Sequence, residues 1–333
     1  TFGTVVRNYS HFLLDLGIGV SAYSALFEET DGVFSVTPKY VYRRGIANLT
    51  VGAEIALKKS SKDKFQDLEL HKAKGQIIYP DVHVNLAILR DYLNFQAFAT
   101  GGLDRNTYSS LKETSHFFNP YYGRGHSPLL NNTVERYNVG GGFNGNIAGR
   151  FLYDVKLGYV RYGNAIVDAL HLEYAGDELL AVLPGIDYRD YGAFYTDFRF
   201  GWESRSVSVD SHFKVLTTDI DKEEAICFEP AFFSGNLRAM YNYRRRVYAG
   251  ITADFASRRR GHAFALNALD GLTSSRLAYI PLYVNLGIEA EYAVTKKFSV
   301  WLRGDNLLNM NVQRFPCYNA GGIGFTAGII LNL

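Results

Sequence analysis

The chain is poor in the residues that usually fasten a small secreted fold. Its 333 residues include only two cysteines, Cys227 and Cys317, too few for a disulfide framework. Whether these two pair is left open by the sequence. Prolines number eight, and one of them, Pro38, interrupts an otherwise strand-like stretch. No apolar run approaches the roughly 20 residues that a membrane-crossing helix needs, which excludes helical spans. The net charge of +2 is too near balance to point to nucleic acid. His and Cys nowhere gather with metal-ligand spacing, and no glycine loop is built to cradle phosphate, so no cofactor is expected. The eight histidines do not combine with serine and a polar group in a pattern that favours nucleophilic catalysis. An enzyme is not expected.

Aromatic side chains, by contrast, are plentiful. Tyrosine and phenylalanine number 24 and 23, and mean hydropathy stays neutral at −0.10. That combination suits strands of which every second residue meets lipid, with rings collected at the two membrane interfaces. Leu282, Val284, Leu286, Ile288, Ala290 and Tyr292 alternate with Tyr283, Asn285, Gly287, Glu289 and Glu291. Successive strand residues face opposite ways, so this segment carries an apolar face and a charged one.

About fourteen such segments run along the chain, starting with Phe12–Ala22 and ending with 321–333. Tight turns near 45–48, 90–92, 145–149, 204–205, 244–246 and 294–296 alternate with long connections at 24–33, 60–79, 105–132, 163–189, 219–230, 258–278 and 308–320. The expectation is a single all-β domain over 1–333: a closed antiparallel transmembrane β-barrel with short periplasmic turns and long extracellular loops. A sandwich or propeller would bury the same apolar face, but soluble strands are typically about five or six residues long. The chain opens at Thr1 without Met, which reads as mature or excised sequence.

The polar face of these strands is the expected lumen lining. It includes Lys39, Arg43, Glu54, Arg136, Asp197, Arg199, Asp210, His212, Arg238, Glu289 and Arg303. Counting across tight turns sets Arg199 opposite Asp210, Asp197 opposite His212 and Lys39 near Glu54, and each such pair contributes about 0.2–1 kcal/mol. Fourteen strands leave more lumen than side chains alone can fill. The loop 105–132, with Phe117, Phe118, Tyr121, Tyr122 and Arg124, is the candidate constriction or contact surface. Two basic runs, Arg244–Arg246 at a tight turn and Arg258–Arg260 at the start of a long loop, are placed to meet headgroup phosphates or to form a solvated rim.

The segment Arg303-Gly304-Asp305-Asn306-Leu307-Leu308-Asn309, followed by Gly321-Gly322-Ile323-Gly324-Phe325, resembles the terminal hairpin of TonB-dependent receptors. In that family an Asn-Leu-(Phe/Leu)-Asn stretch closes the penultimate strand and a glycine-bearing strand ends the chain. Glu135-Arg136-Tyr137-Asn138-Val139-Gly140-Gly141-Gly142 is similar to a strand of such barrels. The resemblance implies an outer-membrane location and active nutrient uptake. The family's plug and energy-coupling box are not seen in this sequence, its barrels have about 22 strands, and the last residue here is Leu333 where many barrels carry an aromatic. The expected function is a pore or transport barrel for a small solute. The alternative is a membrane-anchored scaffold whose external loops dock surface lipoproteins or other envelope components. Outer-membrane lipid and lipopolysaccharide are expected partners in both cases, and nucleic acid is not.

Overall fold

The computed structural model describes residues 2–7, 9–23, 29–60, 77–114, 132–175, 178–220, 228–266, 273–313 and 319–331. They form seventeen strands and one short helix. In chain order these are β1 (Phe2–Arg7), β2 (Ser10–Tyr23), β3 (Glu29–Arg44), β4 (Ala47–Ser60), β5 (Ile78–Leu89), β6 (Leu93–Asp104), α1 (Tyr108–Thr114), β7 (Thr133–Ile147), β8 (Phe151–Ala175) and β9 (Glu178–Glu203). After them come β10 (Val207–Thr218), β11 (Phe233–Tyr243), β12 (Val247–Ala256), β13 (Arg259–Leu266), β14 (Thr273–Ile280), β15 (Tyr283–Ala293), β16 (Phe298–Asp305) and β17 (Gly324–Leu331).

Fifteen strands pair in the order β1 to β12, then β15, β16 and β17, while β13 and β14 form a two-stranded sheet of their own. All fourteen expected segments fall on strands, as β2–β12 and β15–β17. The count nevertheless differs from expectation, because β1 adds a fifteenth strand, with Phe2 opposite Leu14 and Val5 opposite His11. Its 6 residues are too few to carry a legible alternation. The order ends at β1 and β17, and no pairing between these two occurs among the described residues. The sheet is therefore not a closed one as described.

Three expected loops contain regular structure. Most of 163–189 is strand, because β8 and β9 run for 25 and 26 residues. At both ends of this stretch the described residues show no exposed face to create alternation: Ala165, Val167, Ala169, Ile186 and Tyr188 are all buried. The loop 258–278 holds most of the β13–β14 hairpin, and 105–132 begins with α1. That helix is opened by a reciprocal cap, in which the Ser110 N–H donates to Thr107 Oγ1 (3.1 Å) and the Thr107 N–H to Ser110 Oγ (2.8 Å). Leu111 anchors it, fully buried.

Tight turns close the hairpins where expected, with local adjustments. The Ser204 N–H donates to the Val207 carbonyl at 2.8 Å, so the turn residues are Arg205 and Ser206. At two other turns both central residues adopt positive φ: Ala148 (56°) with Gly149 (64°), and Arg244 (52°) with Arg245 (56°). That is the backbone of the two-residue turn whose twist matches flanking strands.

By their contacts the residues fall into two compact units. The first holds 1–142, 158–166 and 188–193, and the second holds 143–157, 167–187 and 194–333. Within each unit the apolar positions of the strands are the exposed ones. In the first, Phe12, Leu16, Ile18 and Val20 stand out from β2, with Ile18 78% exposed, while Asp15, Gly17, Gly19 and Ser21 between them are less accessible. In the second, Leu157 and Ile329 are each 62% exposed. A water-soluble sheet covers its apolar face with protein. Here that face is bare along strand after strand, as lipid contact requires. On the same apolar face of the second unit Ile251 is exposed, and Val209 and Leu286 are half-exposed.

Candidate functional site

The polar faces of the two units are laced with ion pairs, and in the first unit a glycine decides which partners meet. In the first unit Lys39 on β3 lies opposite Gly52 on β4, and Gly52 lies opposite Asp81 on β5. A Cβ at Gly52 would stand 2.7 Å from the Pro38 carbonyl and 3.0 Å from Lys39 Cγ. The bare glycine lets the lysine stem cross the middle strand. Lys39 Nζ thereby reaches Asp81 at 2.7 Å and, on the other side, Asp15 of β2 at 3.2 Å. Lys39 lies near enough to Glu54 to interact electrostatically, as expected, but its direct ion pairs are with these two carboxylates, toward which it is drawn over Gly52. Glu54 sits opposite Tyr79. His83 approaches Asp81 at 3.1 Å, and Arg43, opposite Asn48, stands exposed beside the Gly45–Ile46 turn.

A second knot in this unit ties down β8 where its backbone turns left-handed at Asn164 (φ 51°). The Asn164 N–H donates to Asp190 Oδ1 (2.8 Å), and Arg136 Nη2 donates to Asp190 Oδ2 (3.0 Å). Thr133 Oγ1 donates to the Asn164 carbonyl and itself accepts from Asn106 Nδ2, each at 3.0 Å. Arg136 was anticipated on the polar face; Asp190 was not, since it lies just past the end of a segment read as loop.

In the second unit, His212 Nε2 lies 2.7 Å from Asp197 Oδ2, which is the expected partnership. Arg199 folds back on its own strand to Asp197 Oδ1 (3.2 Å) and leaves Asp210, its expected partner, without an ion pair among the described residues. The reason is the displaced β9–β10 turn, which moves the ladder away from the register counted from Glu203. Asp210 lies opposite Arg238, yet Arg238 Nε donates to Glu289 Oε1 at 2.6 Å, two strands away on β15. On the intervening strand Arg238 faces Thr252, and Glu289 faces Gly250, where Met240 occupies the space a Cβ would take. Arg303 binds Asp305 at 3.0 Å, and Lys156 binds Asp154 at 2.9 Å.

These pairs are lopsided toward the cation. The Arg199, Arg238 and Arg303 side chains are 60%, 58% and 60% exposed, against 15%, 27% and 37% for Asp197, Glu289 and Asp305. Each carboxylate is tucked beneath its guanidinium, and the face offers planar N–H forks suited to anions or oxygen-rich groups.

Two further contacts stand out in the second unit, the first of them between residues that the sequence does not bring together. Asp168 and Arg259 form a half-buried pair at 2.6 Å, and Arg259 Nε also donates to the Glu229 carbonyl (2.8 Å). Both residues lie in segments taken for loops, where no period signals a partner. The basic run Arg258–Arg260 is thus largely committed to protein contacts, since Arg258 also stacks over the Tyr279 ring at 4.4 Å. The other feature is Asn306, at positive φ (52°) and nearly buried. Its Nδ2 donates to the Met310 and Gly321 carbonyls (2.9 and 3.2 Å), and its Oδ1 accepts from the Met310 N–H (3.1 Å). The Asn-Leu-Leu-Asn segment therefore acts as a clasp across the base of the last long connection. Phe117, Phe118, Tyr121, Tyr122, Arg124, Cys227 and Cys317 lie outside the described residues. Among those described, no group of His, Cys, Asp and Glu is arranged to hold a metal ion.

An antiparallel sheet with a bare apolar face and an ion-paired polar face has clear counterparts among solved structures. The siderophore receptor PirA from Acinetobacter baumannii matches over 97% of this chain with 11% identity and a TM-score of 0.60. The FrpB iron transporter from Neisseria meningitidis matches over 98% with 11% identity and a TM-score of 0.63. The pyoverdine outer membrane receptor FpvA from Pseudomonas aeruginosa PAO1 matches over 93%, again with 11% identity, at 0.61. The chain is similar in fold to the antiparallel sheets of these outer-membrane proteins. The likeness to TonB-dependent receptors read from the terminal hairpin extends, as a likeness of fold, over nearly the whole chain. The chain spans only about half the length of these proteins, 55%, 53% and 44% respectively. These neighbours are receptors and transporters rather than enzymes. No family model matches the sequence, and no curated relative does.

Proposed function

We propose that the chain is a single outer-membrane barrel domain of transport type, which admits or captures a small solute along its ion-paired face. The observation that carries this reading is the inverted exposure: apolar side chains bare on one face, charges paired on the other. An edge strand left open in hydrocarbon would strand backbone groups at several kcal/mol each. The two edge strands are therefore expected to be paired in the membrane, giving a closed wall around a polar lumen. Within it, the exposed guanidinium groups of Arg199, Arg238 and Arg303 favour an anionic or oxygen-rich solute. The names of the structural neighbours, receptors for siderophores and an iron transporter, support uptake as the general class.

The test is reconstitution in planar bilayers under a KCl gradient. Discrete conductance steps with a reversal potential favouring chloride are expected, and Arg199→Gln/Arg238→Gln/Arg303→Gln should move that potential toward potassium. Verified insertion without any current would refute an open pore. An unchanged potential in the triple variant would refute the guanidinium lining.

A second reading has its own support. The β8–β9 hairpin carries residues buried within protein, and β13–β14 form a separate sheet, so the long-connection side holds folded structure suited to docking a surface lipoprotein or other envelope component. Co-purification of such a partner in fixed stoichiometry would favour it; recovery of the chain alone would count against it.

A further inference from the structure

The tight turns of the second unit share a composition that hairpin geometry does not call for. The segments 148–150, 204–206, 244–246 and 294–297 contain Arg150, Arg205, Arg244, Arg245, Arg246, Lys296 and Lys297 and no Asp or Glu. All seven are exposed, and none forms an ion pair among the described residues. Glu203, the nearest carboxylate in sequence, is also left unpaired with them. Basic residues at the long-connection end of the same unit are treated differently, since Arg259 is held by Asp168 and Arg258 lies over Tyr279.

Backbone geometry adds an independent sign. Arg244 and Arg245 both occupy the left-handed region, which side chains with a Cβ adopt at a cost and which Asn-Gly fits readily. The turn is otherwise well made. The Arg245 N–H donates to Asn242 Oδ1 at 2.8 Å, and the Arg246 N–H to the Tyr243 carbonyl at 3.0 Å. Arginine at these positions adds nothing to the hairpin that a better turn former would not. It does add charge.

Immediately inside the turns lies a ring of exposed aromatics on the apolar face: Trp202, Tyr241, Tyr243 and Tyr292. The Arg244 guanidinium rests over the Tyr243 ring at 5.2 Å. Aromatic rings of this kind settle at headgroup depth. Cations one step beyond them stand at the level of lipid phosphate.

We infer that the tight turns of this unit form a basic collar that binds anionic phospholipid headgroups, those of phosphatidylglycerol type, in the leaflet at that rim. The inference rests on the membrane reading proposed above. Free lysines and arginines beside an anionic surface each gain attraction of about fivefold in binding, weakened by salt over a screening length of about 10 Å at 0.1 M. The collar is thus a salt-sensitive, headgroup-selective anchor, distinct from the hydrophobic belt that only requires acyl chains.

The chain's own tryptophans supply the assay. Of the two, Trp202 sits on the exposed face at this rim, whereas the Trp301 ring covers Gly328. In a Trp301→Phe background, and in the unaltered chain as a check on folding, Trp202 emission is followed in vesicles containing brominated phosphatidylcholine or brominated phosphatidylglycerol. Quenching by both lipids is required by the membrane reading; quenching by neither would sink that reading, whatever the headgroup. The collar predicts a preference for phosphatidylglycerol of roughly fivefold or more at low salt, lost at high salt. It also predicts that Arg244→Asn/Arg245→Gly/Arg246→Gln, which retains a favourable turn, keeps quenching by both lipids but lowers the preference severalfold, the remaining four cations of the collar holding the rest. Arg258→Gln/Arg260→Gln should leave it unchanged. Equal quenching by the two lipids in the intact chain, or a preference undiminished in the turn variant, overturns the collar and leaves an acidic macromolecule as the ligand to seek. Loss of the preference with inorganic phosphate, but not with chloride of equal ionic strength, assigns the site to free phosphate and overturns the lipid assignment.

Discussion

Ile251→Lys separates a membrane sheet from a soluble one by the size of its effect. Ile251 is 49% exposed near the middle of β12. Its ladder neighbours on the same face are Ala239 and Ile288. Were that face in water, a lysine there would alter stability by no more than about 0.5 kcal/mol. Facing hydrocarbon near the bilayer centre, the same lysine costs about 2–4 kcal/mol. Val247 supplies the internal control. It lies on the same face of the same strand, four residues nearer the tight turn, or about 13 Å at a strand's rise per residue. Val247→Lys should therefore cost only about 0–1 kcal/mol, as expected near the interface. Both variants and the parent chain would be reconstituted in phosphatidylcholine vesicles and unfolded with urea, with tryptophan emission and gel mobility as probes. A midpoint shift several times larger for Ile251→Lys is expected. Equal shifts, or a neutral Ile251→Lys, would refute the assignment of the exposed apolar face to lipid.

Two further perturbations test the Asp168–Arg259 pair and the Asn306 clasp. Arg259→Met strands the Asp168 carboxylate and should cost about 3 kcal/mol, most of it recovered by adding Asp168→Leu; failure of the second change to restore protection of β13 amides against hydrogen exchange would argue against the pair as the local fastening. Asn306→Ala removes three side-chain hydrogen bonds and strains a positive φ, so a loss of about 1–3 kcal/mol and faster proteolysis within 310–322 are expected. Asn306→Gly relieves only the strain, and a fully restored stability in that variant would show that the clasp bonds contribute little.

The fourteen long strands were legible because a membrane sheet writes its two solvents into alternate residues. In β2, Phe12, Leu16, Ile18 and Val20 name the apolar face, and Asp15 names the polar one. Where both faces are covered by protein, that signal vanishes. Residues 163–169 of β8 therefore read as loop although they are strand. β1 was missed for a different reason: six residues give too few alternations to count. The polar-face residues were likewise identifiable by phase, which put His212 and Asp197 on one face, although the register counted across their turn was displaced.

Sequence period alone established which side chains share a face, because that depends only on the twofold geometry of an extended chain. Partner choice on that face was decided in three dimensions. Lys39 passes over Gly52 to Asp81, since a missing Cβ opens a path that no count along one hairpin can register, and Arg238 reaches across a whole strand to Glu289. The turn at Arg205–Ser206 shifted its ladder for a similar reason: register is fixed by which backbone groups close the hairpin, and several closures preserve the same face.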